Sequence, residues 1–365
     1  MTRTDGDLDA ADLDAFLSAE LNRAVAGTEV LHDGLNLSLG IRLVGDAAPA
    51  YVLRRPNKLR GEESFLEVRR EYEVLRRLRE TAVPAPDPVF VCEDESVVGD
   101  PFLVTTHLDG VAVPLGDDLP ERFRTSSARE VVATSLIDAL AEVHSVDADR
   151  FADVCRREST EEQLERVLGQ LEAATGATGR EPPAIWKVAD WLRDNVPTSA
   201  ETSLVHGDYR PANVLLAGGD RPEVAGVLDW ETAFLGDPRT ELGYFLLRWR
   251  DDGDPTPPLD GLRERYGDEG AIGELGATNE RGLAPFTGDP GSPSRRELVA
   301  RYEERTGIEF ENERFYRALA AITLATIWEQ LHRHRLDAGL ESEREPYVDY
   351  VAMMAEQIVD GAFEL

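Results

Sequence analysis

The segment from His206 to Asn213, with the sequence His-Gly-Asp-Tyr-Arg-Pro-Ala-Asn, limits the possible folds of this chain more than any other feature. Two apolar runs follow it and flank a stretch rich in turn-forming residues. This pattern predicts a β-hairpin. Folding the hairpin about its turn sets Val214 opposite Leu228. We therefore expect Asn213 and Asp229 to emerge side by side at its open end.

Three oxygen-bearing side chains at these positions suit phosphoryl transfer. That reaction needs a carboxylate to orient the attacking hydroxyl, and oxygen ligands to hold magnesium against the nucleotide phosphates. Asp208 is the predicted catalytic base, and Asn213 and Asp229 are the predicted metal ligands. ATP and Mg²⁺ are accordingly the predicted cofactors.

The same residues resemble the aminoglycoside phosphotransferase and choline kinase family, whose catalytic loop has the pattern H-G-D-x-x-x-x-N and whose metal-binding Asp follows in an I/L-D-W/F segment. The downstream Gly236-Asp237-Pro238 and Glu241-Leu242 are also similar to that family. The resemblance implies an α+β, protein-kinase-like fold of two lobes. We expect a small antiparallel-sheet N-lobe over residues 1–106, which binds nucleotide, and a mainly helical C-lobe over residues 107–365, which is catalytic and binds substrate. In this family His206 supports the loop by hydrogen bonding.

The N-terminal third contains a strand pattern and a candidate phosphate clamp. Apolar and polar residues alternate from Leu35 to Leu43, after a turn that ends at Gly34, which predicts a strand. A helix is predicted before it, from Asp12 to Val25. In the resembled fold such a hairpin covers the nucleotide phosphates with small residues and backbone N–H groups. The predicted cofactor-binding residues of this hairpin are Gly34, Asn36 and Ser38.

Kinase-like folds also pair a strand lysine with a helix glutamate, and the aligned residues here are Arg54 and Glu71. Arginine is a planar fork and cannot occupy a lysine pocket identically. The strand sequence Val-Leu-Arg-Arg-Pro, however, resembles a branch of the family that is fused to acyl-CoA dehydrogenases. Two alternatives stay open: Arg55 takes the phosphate-contacting role, or Arg54 and Glu71 are an ordinary surface pair.

Two further assignments depend on position alone. Thr105 and His107 lie in the expected hinge between the lobes, where backbone groups would contact adenine. Glu231 falls two residues after Asp229, so it either reaches a second metal or substrate group or is a capping or surface acid. His144 is predicted to be a packed, hydrogen-bonded core histidine.

The charge of the chain limits its partners and surroundings. The formal net charge is -32, and Lys58 and Lys187 are the only lysines. An acid-rich, lysine-poor surface is typical of proteins from salt-loving organisms, and it argues against a nucleic-acid partner. We expect a cytoplasmic protein without a signal segment or membrane span, since the longest apolar run, Ala318 to Trp328, is too short. Cys92 and Cys155 are expected to be unpaired thiols.

The predicted function is transfer of the γ-phosphoryl group of ATP to a hydroxyl of a small-molecule metabolite. The resemblance implies aminoglycosides, choline-like alcohols or hydroxyacyl-CoA as acceptors, and the Val-Leu-Arg-Arg-Pro strand slightly favours the last. A catalytically silent nucleotide-binding regulatory module is the main alternative. A protein kinase is disfavoured by Gly207 and by the lack of an Ala-Pro-Glu segment. Residues 251–290 are predicted to be a flexible insertion near the substrate. The sequence does not choose between ATP and GTP or define the oligomeric state.

Overall fold

The computed structural model describes residues 10–34, 36–57, 65–198, 201–268, 270–363 and 365. Its N-terminal lobe is a five-stranded antiparallel sheet in the order β1-β2-β3-β5-β4. The strands are β1 (Val25–Asp33), β2 (Asn36–Leu43), β3 (Tyr51–Pro56), β4 (Pro88–Cys92) and β5 (Phe102–Thr106). Three helices accompany them, α1 (Ala10–Glu20), α2 (Val68–Leu78) and the single turn α3 (Glu95–Val98).

The small lobe has its own apolar core. Leu13 and Leu17 of α1 are buried in one cluster with Ile41 of β2 and Leu53 of β3. These positions alternate along the strands, because only one sheet face receives the helix. The sheet edge that faces the C-terminal lobe carries polar side chains instead. Asn36 and Arg54 belong to this edge and contribute to the site described below.

The C-terminal lobe is mainly helical. Its helices are α4 (Ser126–His144), α5 (Thr160–Thr178), α6 (Pro183–Asp194), α7 (Pro238–Leu246), α8 (Asp260–Tyr266), α9 (Ala271–Arg281), α10 (Arg295–Thr306), α11 (Glu313–Asp337) and α12 (Glu345–Val359). Four short strands form two ribbons: β6 (Ser203–Val205) pairs with β9 (Phe234–Gly236), and β7 (Val214–Ala217) pairs with β8 (Glu223–Val227). Helix α11 is almost continuously buried and packs against α5, α7 and α12. The predicted α+β, two-lobed fold is confirmed.

The first strand was not predicted, and the leading helix ends earlier than expected. The helix stops at Glu20 rather than Val25, and β1 then runs from Val25 to Asp33. Most of β1 is exposed or half-buried, and its pairing with β2 contains two irregularities. An exposed edge strand needs no apolar alternation, so the sequence carried no period-two signal there.

Residues 251–290 are not the loop that the sequence predicted. They contain α8, α9 and a 3₁₀ turn, Pro285–Gly288. Ile272, Leu275 and Phe286 are buried and join the main core. The glycines in these helices lower helix propensity, and tertiary packing outweighs that cost. Among the described residues, no helix has the length and apolarity needed to cross a bilayer.

Candidate active site

The catalytic loop connects β6 to β7 and presents the Asp208 carboxylate to a cavity of about 340 Å³ between the lobes. Asp208 Oδ1 accepts a hydrogen bond from the Tyr244 hydroxyl at 2.9 Å, and Oδ2 accepts one from Asn213 Nδ2 at 2.8 Å. Arg210 Nε donates to the same carboxylate at 3.0 Å. Three donors thus fix the orientation of one carboxylate, while one side of it remains open to the cavity.

The electrostatic surroundings keep Asp208 ionised. Burial alone would raise the pKa of Asp208, but the Arg210 and Arg248 guanidiniums and the hydrogen bonds from Arg210 and Tyr244 bring it below its usual value. Burial raises the pKa of Tyr244 to about 12, so this hydroxyl stays a donor. An ionised, well-oriented carboxylate can accept a hydrogen bond from an acceptor hydroxyl and then its proton.

Glu241 of α7 holds the backbone of the loop. Its carboxylate accepts the N–H groups of His206 at 3.0 Å, Gly207 at 2.6 Å and Tyr209 at 3.3 Å. His144 Nε2 lies 3.0 Å from the same group, and its Nδ1 lies 2.7 Å from a tyrosine hydroxyl. Burial opposes ionisation of Glu241, but His144 and the His206 N–H bring its pKa below the usual value. The prediction that His144 is a hydrogen-bonded core residue is confirmed.

Gly207 is required by the path of the loop. Its φ is +87°, and a Cβ there would lie 2.5 Å from the carbonyl oxygen of Thr232. No L side chain can occupy this position without moving the Thr232 backbone.

His206 connects the catalytic loop to the segment that carries Asp229. Its ring is fully buried, with Nε2 2.7 Å from the Leu228 carbonyl oxygen, while Nδ1 accepts the Asp208 N–H at 3.2 Å. A carbonyl can only accept, so the proton lies on Nε2 and the ring is the neutral tautomer. This confirms the predicted supporting role of His206.

The predicted hairpin is present, but its register is shifted by one residue. Val214 pairs with Val227, not with Leu228, because the turn is centred on Asp220 and not on Arg221: Ala217 pairs with Glu223, and the irregularity between Leu215 and Leu216 offsets only half of the resulting difference. The Leu228 N–H donates to the Asn213 carbonyl at 2.8 Å. Asp229 therefore lies one residue beyond the hydrogen bond that closes the open end of the hairpin. The run from Gly218 to Pro222 contains several turn-forming residues, so the sequence did not specify which of them the turn is centred on.

Asp229 turns away from the strand at that point. Its backbone is left-handed, with φ 62° and ψ 60°, a conformation that Asp tolerates better than most residues. The turn directs its half-exposed carboxylate into the cavity that also contains Asp208. Both hydrogen bonds of the Asn213 amide use Nδ2 and go to Asp208, which leaves Oδ1 to ligate a cation.

An amide oxygen and a carboxylate are the hard ligands that Mg²⁺ prefers. Over the described part of the chain, no group of three or more His, Cys, Asp or Glu side chains forms a complete metal site. Asn213 and Asp229 would supply two ligands of the coordination sphere. That fits Mg²⁺, which keeps waters and binds substrate phosphates in phosphoryl-transfer sites.

Arg54, rather than Arg55, enters the site. Arg54 forms a buried pair with Glu71, and its Nε lies 3.2 Å from an Asp229 oxygen. Arg55 turns away and donates to the Val98 carbonyl at 2.5 Å. Burial raises the pKa of Glu71 and Arg54 opposes that shift. Burial also works against the charge of Arg54, but its carboxylate neighbours raise its pKa. Arg54, not Arg55, is thus the arginine beside Asp229, and its contact with phosphate stays a prediction.

Glu231 links the lobes. Arg54 Nη2 lies 2.6 Å from its carboxylate, and Asn36 Nδ2 lies 3.0 Å from both of its oxygens. Its carbonyl also accepts the Leu66 N–H at 2.6 Å. Glu231 is therefore a paired, largely buried side chain at the cavity wall, and the interpretation as a surface acid was wrong.

The remaining predicted nucleotide-binding residues differ in position. Asn36 and Ser38 line the cavity. Gly34 lies at the β1–β2 turn, where a Cβ would meet the His32 imidazole at 2.3 Å. Thr105 pairs within the sheet, and the His107 N–H already donates to the Ala50 carbonyl at 3.0 Å. Neither of the last two lines the cavity that holds Asp208, so their contact with adenine stays a prediction.

Comparison with known proteins assigns this arrangement to a family. Residues 37–286, more than half of the chain, match the family model described as "Phosphotransferase enzyme family". The chain belongs to this family.

Curated relatives are longer proteins. Probable acyl-CoA dehydrogenase IBR3 of Arabidopsis thaliana is 32% identical over 224 residues, which cover 56% of this chain and 26% of that protein. Acyl-CoA dehydrogenase family member 11 of Gallus gallus is 28% identical over 331 residues, which cover 87% of this chain and 38% of that protein. The chain thus spans well under half the length of these relatives.

Solved structures share the fold. A putative aminoglycoside phosphotransferase from Ralstonia eutropha superimposes with a TM-score of 0.70 at 23% identity, over 97% of this chain and 99% of that one. The GDP and kanamycin complex of an aminoglycoside 2″-phosphotransferase gives a TM-score of 0.60 at 14% identity, over 96% and 98% of the two chains. At these sequence identities, the comparison shows that this chain shares the fold of the two solved structures.

Two residues of this phosphotransferase site were missed from the sequence. Tyr244 and Arg248 follow Glu241 at intervals of three and four residues, and Arg248 lies over the Tyr244 ring, 4.1 Å from its centroid. Such spacing aligns side chains on one helix face. The sequence contained this spacing, and it could have identified both residues, because the helix face that includes Glu241 points at the catalytic loop.

Proposed function

We propose that this chain is an ATP-dependent phosphotransferase that transfers the γ-phosphoryl group to a hydroxyl of a small-molecule metabolite. The observation that carries the proposal is the shared cavity. Asp208, ionised and held by three donors, lines the same 340 Å³ cavity as Asp229, and Asn213 is hydrogen-bonded to Asp208. Phosphoryl transfer needs these groups together.

Each residue then has a distinct task. Asp208 accepts the hydrogen bond of the acceptor hydroxyl and takes its proton as the new P–O bond forms and the bond between the γ-phosphorus and the bridging oxygen of ADP breaks, with ADP as the leaving group. Asn213 Oδ1 and the Asp229 carboxylate would hold Mg²⁺, which neutralises charge on the phosphates. Arg54, anchored by Glu71, supplies a fixed positive charge beside Asp229.

Among the described residues that line the cavity, none on the acceptor side is a carboxylate. The acids that line it are Asp208, Asp229 and Glu231, all on the transfer side. Helices α5 and α11 form the opposite wall with neutral, apolar and arginine side chains, among them Arg166, Val167 and Ile327. A polycationic acceptor would find no carboxylate on this wall. An acyl chain fits this wall, and the curated relatives carry acyl-CoA dehydrogenase names. Hydroxyacyl-CoA is therefore the proposed acceptor.

Replacement of Asp208 by Asn tests the assignment. Wild-type protein is incubated with ATP, Mg²⁺ and separate acceptors (a hydroxyacyl-CoA series, aminoglycosides and choline), and phosphorylated product is measured by mass spectrometry. Loss of a general base costs about 10²- to 10⁴-fold in rate, so Asp208→Asn should lose activity on that scale. Asp190→Asn, at an exposed position on α6, should match wild type.

Unchanged turnover in Asp208→Asn would remove the proposed base. Tight binding of ATP without transfer to any acceptor would favour the rival function, a silent regulatory module.

A further inference from the structure

A second cavity, of about 720 Å³, adjoins the active-site cavity and is larger. Leu115 and Trp328 line both cavities, so the two spaces meet at these side chains. The second cavity lies between α9 and the segment that joins α11 to α12. Nothing in the transfer chemistry uses it.

Two arginines give one end of this cavity a positive charge. Arg335 Nε donates to the Glu341 carbonyl at 2.9 Å, which fixes its guanidinium at the cavity. Arg344 is half-buried and makes no ion pair with any carboxylate among the described residues. Burial lowers the pKa of Arg344, the neighbouring Arg335 lowers it further, and Tyr347 partly offsets this. A guanidinium in a positive local field is unusual in a chain of net charge -32.

Four carboxylates and a third arginine, Arg281, also line the cavity, and none of these carboxylates forms an ion pair with Arg335 or Arg344 among the described residues. Glu274 accepts a hydrogen bond from the Tyr347 hydroxyl. Asp117, Glu341 and Glu343 also line the cavity, but none of them pairs with Arg344 among the described residues. The cavity therefore has an anion-binding end rather than a uniformly basic surface.

Aromatic rings form a wall next to that end. The rings of Trp328 and Tyr347 meet edge to face, with centroids 5.5 Å apart. Guanidiniums bind phosphate through charge-assisted hydrogen bonds, and aromatic faces stack on flat heterocycles. The combination suits a ligand that carries phosphates beside an aromatic base.

We propose that this second cavity binds the phosphorylated nucleoside end of the acceptor, with its phosphates on Arg335 and Arg344. The acceptor chain then passes Leu115 and Trp328 to bring its hydroxyl to Asp208. The inference rests on the proposed function, because it treats the second cavity as part of the acceptor site.

Binding of adenosine 3′,5′-bisphosphate provides a test that needs no turnover. Calorimetric titrations use the full wild-type chain with ADP and Mg²⁺ at saturation, so that the nucleotide site between the lobes is occupied. Wild type should bind the probe, and Arg344→Gln should weaken binding roughly tenfold or more, since a charge-assisted hydrogen bond is lost. The matched control is Arg333→Gln, because Arg333 lies on α11, as Arg335 does, but pairs with Asp337. It should bind like wild type.

Inorganic pyrophosphate is the second probe. It should bind more weakly than the bisphosphate, because it cannot stack on the aromatic wall. Equal binding of the two probes would contradict a nucleoside site.

Two further results would overturn the inference: no binding by wild type in the presence of saturating ADP, or equal binding by Arg344→Gln and Arg333→Gln. Any of them together with alcohol phosphorylation would leave the proposed function intact. Binding that depends on Arg344, with no phosphoryl transfer to any acceptor, would instead contradict the proposed function alone.

Discussion

The charged and hydrogen-bonding neighbours of Asp208 favour its ionised state. Arg210 and Arg248 offset the burial that would otherwise raise its pKa from 3.8. Because the pKa of Asp208 is lowered, its carboxylate is deprotonated at every pH above the usual pKa of an aspartate. Protonation removes the base only when the pH falls below that usual pKa. The acidic limb of the pH–rate profile should therefore not reach neutral pH.

Arg210→Gln should move that limb. Loss of the guanidinium removes both a charge and a hydrogen bond from Asp208, so the pKa of Asp208 should rise and kcat/KM should fall at a higher pH than in wild type. The measurement is kcat/KM as a function of pH. Arg221→Gln, on the exposed β7–β8 turn, is the control. Superimposable profiles for all three proteins would show that Arg210 does not set this pKa.

Arg54 is adapted to its three carboxylate neighbours, Glu71, Asp229 and Glu231. Lysine is a point charge and cannot contact all three with a planar fork. Arg54→Lys should therefore lower the free energy of unfolding by about 1–2 kcal/mol and raise the KM for the nucleotide. Chemical denaturation and steady-state kinetics provide the two readouts.

The neighbouring Arg55→Lys is the matched control, since Arg55 contacts a carbonyl outside the site. Improved activity in Arg54→Lys would mean that the arginine is a defect rather than an adaptation.

At the scale of elements, the site depends on the catalytic loop and the β7–β8 hairpin being joined. His206 donates from the loop to the Leu228 carbonyl, and Thr232 Oγ1 donates back to the His206 carbonyl at 2.9 Å. The two segments approach so closely at Gly207 that they form one unit. The position of Asp208 relative to Asp229 follows from this contact.

Gly207→Ala should break that unit. The new Cβ would lie 2.5 Å from the Thr232 carbonyl oxygen at a φ of +87°. Backbone strain of this kind costs about 1–3 kcal/mol, so thermal stability and kcat should both fall. Gly219→Ala, in a turn with no atom within 4 Å of the added Cβ, should change neither. Wild-type kcat in Gly207→Ala would show that the contact does not position the loop.

The sequence predicted those elements in which burial of one face requires apolar residues at regular intervals. The catalytic loop, strand β2 and the β7–β8 hairpin were found, because residues such as Leu39 and Val214 lie on buried faces. The edge strand β1 was missed because little of it is buried. The hairpin register was off by one because the turn is centred on Asp220 and not on Arg221, and a bulge in the ladder offsets only half of that difference. The Arg54–Glu231–Asn36 contacts join residues far apart in the chain, and no local pattern predicts them.

For the molecule as a whole, the net charge of -32 is the dominant property. Many arginines are held in ion pairs, for example Arg180 with Glu329 and Asp349. The excess acids still repel one another. Dissolved salt screens the repulsion between charges that are farther apart than about 10 Å at 0.1 M and about 3 Å at 1 M.

Stability should therefore increase with salt. The melting temperature, followed by circular dichroism, should rise between 0.1 M and 2 M KCl, since screening relieves self-repulsion in the compact state. Sucrose at matched osmolality separates screening from general exclusion and should give a smaller increase. A melting temperature that falls with KCl would show that attractive ion pairs outweigh the repulsion.

The central claim is that Asp208, Asn213 and Asp229 form one metal-assisted transfer site with separate tasks. Paramagnetic Mn²⁺, used in place of Mg²⁺, tests it directly when its binding to the ATP complex is measured in wild type, Asp229→Asn and Asp208→Asn. We predict that Asp229→Asn weakens Mn²⁺ binding by roughly tenfold or more, while Asp208→Asn retains the metal and loses turnover. Equal Mn²⁺ affinity in wild type and Asp229→Asn would contradict the account.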